Sequence, residues 1–216
     1  MLSGRRVRRA TVTIILAALA ASAAGCAERP AHDSTGSPVA AVSSAPSSYA
    51  GSKLATPRPR PAFTLTGTDG LAFDFAAATA GRPTLLFFGY THCPDVCPTT
   101  MANLGLAFKR VPADVAQRAR VVFVTTDPAR DTGPVLAEWL SHFDGGLPQR
   151  FIGLTGSQPD IDAAQQAAGV MPTEENGTMH ESTVWLYGPD DRAHVIFTSG
   201  ATPDAIAHDL QKVAAS

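Results

Sequence analysis

The stretch "FFGYTHCPDVCPTTM", Phe87 to Met101, sets two cysteines four positions apart between prolines at the end of an apolar run. That run, "TLLFFG" over residues 84–89, has strand length and no polar alternation, as expected of a strand covered on both faces. After it, Pro98 lacks an N–H and fixes its own φ, which suits the first position of a helix and pushes Cys97 away from helical angles. The spacing therefore predicts a strand, a tight "CPDVC" turn, and a helix that starts at Pro98. Unpaired amide donors and the helix dipole at such an amino end favour thiolate over thiol. Loops at the carboxyl ends of strands in an open α/β sheet are where ligands bind.

On the amino-terminal side of that strand, "FTLTGTDGLAFDF" alternates apolar and polar residues around a turn at Asp69 and Gly70, the pattern of a hairpin. "RVVFVTT" and "RFIGLTG" read as further strands, and "TGPVLAEWLSHF" and "SQPDIDAAQQAAG" as helices, the latter capped by Ser157. "STVWLYG" and "AHVIFTSG" flank "GPDD" as a second hairpin, and "TPDAIAHDLQKVAA" closes the chain as a helix. Strands alternating with helices predict an α/β sandwich with an N-terminal β-hairpin, a central sheet and flanking helices.

The first 25 residues stand apart from this domain. Four arginines precede "TVTIILAALAASAAG", an apolar core that ends in small residues, which is the pattern of an export signal. The run falls short of the roughly 20 apolar residues that a spanning helix needs. Its end, "AASAAGC", resembles a bacterial lipoprotein cleavage site and makes Cys26 the expected lipidation point, although Ala23 stands where a leucine is usual. From residue 26 to 61 the chain is rich in Ser, Ala, Pro and Thr without apolar periodicity, and reads as a lipid anchor followed by a disordered tether. As a coil, about 35 such residues span on the order of 30 Å. The folded domain is expected over 62–216, on the extracytoplasmic face of the cell membrane. Without the leader, 13 of the 17 basic residues remain against all 19 acidic ones. That acidic balance, with no basic stripe, aromatic stacking motif or phosphate-cradling glycine loop, argues against a nucleic-acid partner.

If Cys26 carries lipid, Cys93 and Cys97 are the remaining pair, and three chemistries compete for them. A structural disulfide across so short a loop restrains little chain. A redox pair on a turn after a buried strand is the arrangement of thioredoxin-like oxidoreductases, but those place two residues between the cysteines and here there are three. The wider spacing suits one soft ion, Cu(I) or Zn(II), between two sulfurs. Such a site needs a third ligand. His180, in "NGTMHESTVWLYG", precedes a strand whose leading loop faces the cysteine turn in thioredoxin-like folds. Pro172 stands near the position of the oxidoreductases' cis-proline, but "EENGT" follows it in place of a strand. A peroxiredoxin-like peroxidase is disfavoured, because "YTHCPDVC" lacks the threonine and proline order ahead of a peroxide-reactive cysteine.

"FFGYTHCPDVCPTTM", "VVFVTTDPARDT" and "MHESTVWLYGPDDR" resemble, in order and spacing, the Sco/SenC family of copper-binding proteins, from about Phe63 to the end of the chain. The resemblance implies a thioredoxin-like fold with a central mixed sheet, a copper ion held by Cys93, Cys97 and His180, and a role at the copper-site subunit of cytochrome c oxidase. That role is delivery of copper or, alternatively, reduction of the subunit's cysteines, in which case Cys93 and Cys97 are the redox-active, catalytic pair. Two departures concern the histidine loop: residues 169–180 are shorter than the family's usual insertion, and Glu181 stands where a small residue is common. Asp127 in "DPARD" reads as a loop cap acting through Pro128 and Arg130 in preference to a residue that tunes the site's charge, and Asp95, between the cysteines, reads equally as a solvated residue and as one that steers a partner or a cation. His92, His32, His142, His194 and His208 are assigned no role.

Overall fold

The structure, a computed structural model, describes residues 42–43, 47–170 and 182–216. In chain order the elements are β1 (Ser52–Pro59), β2 (Thr64–Gly67), β3 (Ala72–Asp74), α1 (Phe75–Thr79), β4 (Thr84–Gly89), α2 (Val96–Phe108), α3 (Ala113–Arg118), β5 (Arg120–Thr125), α4 (Gly133–Asp144), β6 (Ile152–Thr155), α5 (Gln158–Ala168), β7 (Val184–Tyr187), β8 (Arg192–Phe197) and α6 (Pro203–Ala214). The strands make one sheet in the order β1-β8-β7-β4-β5-β6-β2-β3. β4, β5 and β6 run parallel, whereas β7 is antiparallel to β4 and β8 to β7. The expected mixed sheet with flanking helices is the observed one.

Every residue of β4 is buried, which accounts for its unbroken apolar sequence. With the period of two that a strand imposes, Leu85 and Phe87 join Phe123, Leu104, Leu136, Leu186 and Leu210 in a core under α2, α4 and α6. Leu86 and Phe88 join Phe75, Val122, Ile161 and Trp185 in a second core under α1 and α5. Burying one such phenylalanine stabilises the fold by about 1.5–3 kcal/mol. The expected hairpin is β2–β3. Its turn closes through Gly67 N–H to the Leu71 carbonyl at 2.8 Å, with Gly70 at φ 80° where a side chain would be strained.

Three features depart from the sequence reading. The expected tether reached residue 61, but the sheet begins ten residues earlier, at Ser52. β1 is an edge strand on β8, so Pro57 and Pro59 are tolerated. Composition suggested disorder because few of its residues are apolar; Leu54 alone in β1 is fully buried. Two distant charges hold the segment in place. The Arg60 side chain, 3% exposed, donates to Asp191 at 2.9 Å, to Thr79 at 2.9 Å, and to the carbonyls of Arg82 and Gly188. It also lies over the Tyr187 ring, 5.1 Å from the centroid. Asp191 reaches this position from a left-handed turn residue at φ 57°, a conformation that Asp adopts more readily than most. At the other end of β1, the buried Asp209 carboxylate on α6 accepts the N–H groups of Ala50 at 2.8 Å and Gly51 at 2.7 Å.

Second, β1 precedes the hairpin, so the hairpin is not the first element and occupies the opposite edge of the sheet. Third, α2 starts at Val96 and not at Pro98, with Asp95 as its N-cap residue. A proline fits there because the N–H groups of the first turn have no intrahelical acceptor in any case. The short helices α1 and α3 offered too few residues for periodicity to show. Among the described residues, no helix is long and apolar enough to cross a membrane. Cys26, with the segment before residue 42, lies outside the described residues, as do Pro172, His180 and Glu181.

Candidate metal centre

β4 delivers the chain to the cysteine turn through Gly89, and the glycine is required there. A Cβ at residue 89 would stand 2.9 Å from Cys97 Sγ and 3.0 Å from the Phe123 ring. The absent side chain lets the Cys97 thiol pack against the end of the strand. Tyr90 then begins the turn, its carbonyl accepting the Cys93 N–H at 3.3 Å.

The start of α2 is capped in an unusual way. Asp95 occupies the N-cap position, but its side chain takes none of the free amides that a cap residue normally takes. Instead the Cys97 N–H donates to Cys93 Sγ at 3.4 Å. The sulfur occupies the place of a capping oxygen, which brings the two cysteines together at the amino end of the helix. Both are free thiols.

Their environments differ sharply. Cys97 is fully buried, and burial pushes its thiol well above the ordinary value; the neighbouring Cys93 and Asp131 push the same way. Cys93 is half-buried. Burial opposes its ionisation too, but the N–H groups of Cys97, Asp95 and Val96, together with the Cys97 thiol, outweigh it and hold Cys93 below the ordinary value. The result is one accessible, readily ionised sulfur and one protonated sulfur behind it. Soft ligands of this kind suit Cu(I), and an accessible thiolate is also the nucleophile of disulfide exchange.

The Tyr90 phenol, 7% exposed, closes one side of the turn and reaches Cys93. Asp127 pairs with Arg130 through their side chains, and its carbonyl accepts the N–H groups of Arg130 at 3.1 Å and Asp131 at 2.9 Å, so it organises its own loop. Asp95 is exposed and lies 3.4 Å from Thr99 Oγ. His92 is exposed beside Cys93, its Nδ1 3.0 Å from Thr91 Oγ. His142 lies on the exposed face of α4, His194 pairs with Asp190 at 2.8 Å, and His208 with Asp209 at 2.8 Å.

One participant escaped the sequence reading. Asp131, fully buried, accepts Thr91 N–H at 2.9 Å, Thr91 O–H at 2.5 Å and Thr125 O–H at 2.7 Å. Its only signal in the sequence is a second aspartate four positions after Asp127.

Among the described residues, no three His, Cys, Asp or Glu side chains gather as a metal site. The strand register shows at which end of the sheet the chain enters β7. Val184 pairs with Phe87, so the chain enters β7 at the same end of the sheet at which β4 releases the cysteine turn. His180 precedes Val184 by four positions, a stretch that can extend about 14 Å at most. Neighbouring strands are only about 4.8 Å apart.

The family model described as SCO1/SenC matches residues 52–215. A protein of Stutzerimonas stutzeri named for copper binding is 39% identical over 123 residues, which is 53% of this chain and 58% of that protein's length. The solution structures of apo Sco1 from Thermus thermophilus superpose with a TM-score of 0.65 at 31% identity, over 76% of this chain and 96% of theirs. The structure of Bradyrhizobium japonicum ScoI with copper bound gives 0.60 at 32% identity, over 72% of this chain and 99% of its own. The thioredoxin-like α/β fold is thereby shared with proteins that include a copper-bound one.

Proposed function

The chain belongs to the SCO1/SenC family, and on that premise we propose that it is a membrane-tethered, extracytoplasmic copper carrier in which Cys93, Cys97 and His180 hold the ion. Copper here is cargo. It goes to the copper-site subunit of cytochrome c oxidase, the assembly role that the family resemblance implies. Cys26 is the proposed lipid anchor, and the segment up to Ser52 the proposed link between membrane and domain. The observation that carries the reading is the shared end of the sheet: the dithiol turn leaves β4 beside the point where the chain bearing His180 enters β7.

Chemically, the two sulfurs supply soft donors and the imidazole completes a low-coordinate site. Loading Cu(I) between two thiolates requires the buried Cys97 to give up its proton, so binding releases protons. Cys93, at the exposed edge, is the sulfur that an incoming donor from the target reaches first. Closure of the pair to a disulfide would remove both sulfur donors, which couples metal retention to thiol redox state.

The asymmetry of the thiols favours a second reading, a thiol-disulfide oxidoreductase acting on the cysteines of the same copper site. In that reaction the Cys93 thiolate attacks one sulfur of the target disulfide and releases the other as thiolate. Cys97 then loses its proton and attacks Cys93 Sγ, freeing the second target sulfur. The pair ends as a disulfide, having supplied two electrons.

His180→Ala separates the two. The copper reading expects a large fall in Cu(I) affinity, measured by competition with a Cu(I) chelator, with reduction of a small disulfide unchanged. Unaltered copper affinity in that variant would contradict it.

A further inference from the structure

The buried carboxylate of Asp131 has no task in the copper reading as given so far, yet two of the three hydrogen bonds it accepts come from Thr91, two positions before Cys93. The residue is fully buried on the loop between β5 and α4. Its carboxylate oxygens receive the Thr91 N–H, the Thr91 O–H and the Thr125 O–H, and its own N–H is tied to the Asp127 carbonyl at 2.9 Å. Thr125 Oγ in turn accepts the Asp127 N–H at 2.9 Å, so the carboxylate is the terminus of a connected network. Among the described residues, its one ion-pair neighbour is the exposed His92, with Nδ1 at 3.6 Å. Among the described residues, no lysine or arginine pairs with it. Buried carboxylates are expensive unless hydrogen-bonded, and bonds to an ionised acceptor are among the stronger ones.

Thr91 is the segment these bonds immobilise. It lies between Tyr90, whose carbonyl takes the Cys93 N–H, and His92, which adjoins Cys93. Beyond it, Cys93 Sγ rests on the Cys97 amide. A continuous path thus runs from the Asp131 carboxylate through Thr91 to the sulfur that caps α2.

We propose that Asp131 is the positioning residue of the dithiol turn: acting through Thr91, it fixes the approach to Cys93 so that both sulfurs face one ion without rearrangement. The inference rests on the copper reading for its purpose, but not for its geometry. A site held in its bound arrangement before the ligand arrives avoids the ordering cost of binding.

Substitutions at residue 131 separate positioning from bulk stability. Asp131→Ala deletes every acceptor. Asp131→Asn keeps the shape: its amide nitrogen can donate to Thr91 Oγ, which can pass its own proton to His92 Nδ1 at 3.0 Å, leaving the amide oxygen for Thr91 N–H and Thr125 O–H. The full chain, reduced and kept anaerobic, is read in two ways. Amide hydrogen exchange at Thr91 is followed in the metal-free protein, and Cu(I) affinity by chelator competition. In the Ala variant, the Thr91 amide should exchange faster while Phe87 and Phe123 keep their protection. Cu(I) affinity should fall about 10- to 100-fold, the scale on which groups that orient metal ligands act. The Asn variant should recover most of both.

Unchanged exchange at Thr91 in the Ala variant, acceleration spread equally over Phe87 and Phe123, or an Asn variant as impaired as Ala would each overturn the proposal. Should the Ala variant not fold, Thr91→Val, which removes only the hydroxyl partner, replaces it with a smaller expected loss of the same two quantities. A wild-type chain that binds no Cu(I) would sink the copper reading instead, and Thr91 exchange in the metal-free variants then decides the positioning role alone.

Discussion

The cysteine turn and the edge strand β1 are held by opposite means. At the turn, the contact between the sulfurs is local: Cys93 Sγ caps the helix four residues ahead and is left half-exposed and readily ionised, with Asp131 bracing Thr91 from 40 positions away. β1 presents almost no apolar side chains and is fixed by charges far along the sequence, Arg60 to Asp191 across 131 positions and Asp209 to Gly51 across 158. The exposed Cys93 sulfur is expected to serve chemistry with little consequence for stability, and the anchors of the edge strand to serve stability alone. A local motif can announce a reactive site, but whether a polar segment is ordered depends on partners that no local window contains.

The sharpest way to break this contrast is at the turn. Cys93→Ser should abolish stoichiometric Cu(I) binding in an anaerobic titration, while the urea midpoint reports a stability change within about 1 kcal/mol, as expected of a half-exposed side chain. A variant that unfolds at much lower urea, or still binds one ion, would erase the distinction.

Arg60→Ala is the reverse experiment. It strips charged partners from Asp191, Thr79 and two carbonyls, and should lower unfolding free energy by about 2–3 kcal/mol in urea, with copper affinity intact. A smaller loss, about 1–2 kcal/mol, is expected for Asp209→Asn, which sets an amide N–H2 against the Ala50 or Gly51 donor.

The smallest effect sharpens the turn itself. Because Cys93 lies below the ordinary thiol value, more of it is thiolate at a given pH, and its alkylation should reach half-maximal rate at a lower pH in the folded chain than in the urea-unfolded chain. Cys97, raised by burial, should stay unmodified in the folded protein across the same range, as mass spectrometry of the alkylated chain would show.

Much of this was legible before any coordinates. The six-residue apolar run is a buried strand because neither of its faces meets water. Ser157 caps α5 as its position implied, accepting the Asp160 N–H. The cysteine turn followed from one short motif, and the family resemblance from three in order and spacing. What the sequence hid was tertiary. Proline and serine made residues 52–59 look like tether, because an edge strand tolerates both and its anchors lie elsewhere. Pro98 misdirected the start of α2 by two residues, since a first-turn proline forfeits no hydrogen bond. Asp131 had no periodicity or spacing to mark it, because its partners come from two other strand ends.

The claim on which the account turns is that one imidazole and two sulfurs meet on a single ion. Anaerobic Cu(I) titration of the reduced full chain, with ligation read by X-ray absorption, tests it directly. The account predicts one ion per chain with two sulfur donors and one nitrogen donor, the nitrogen disappearing in His180→Ala. Sulfur-only coordination in the wild type, or no one-to-one binding, would contradict it.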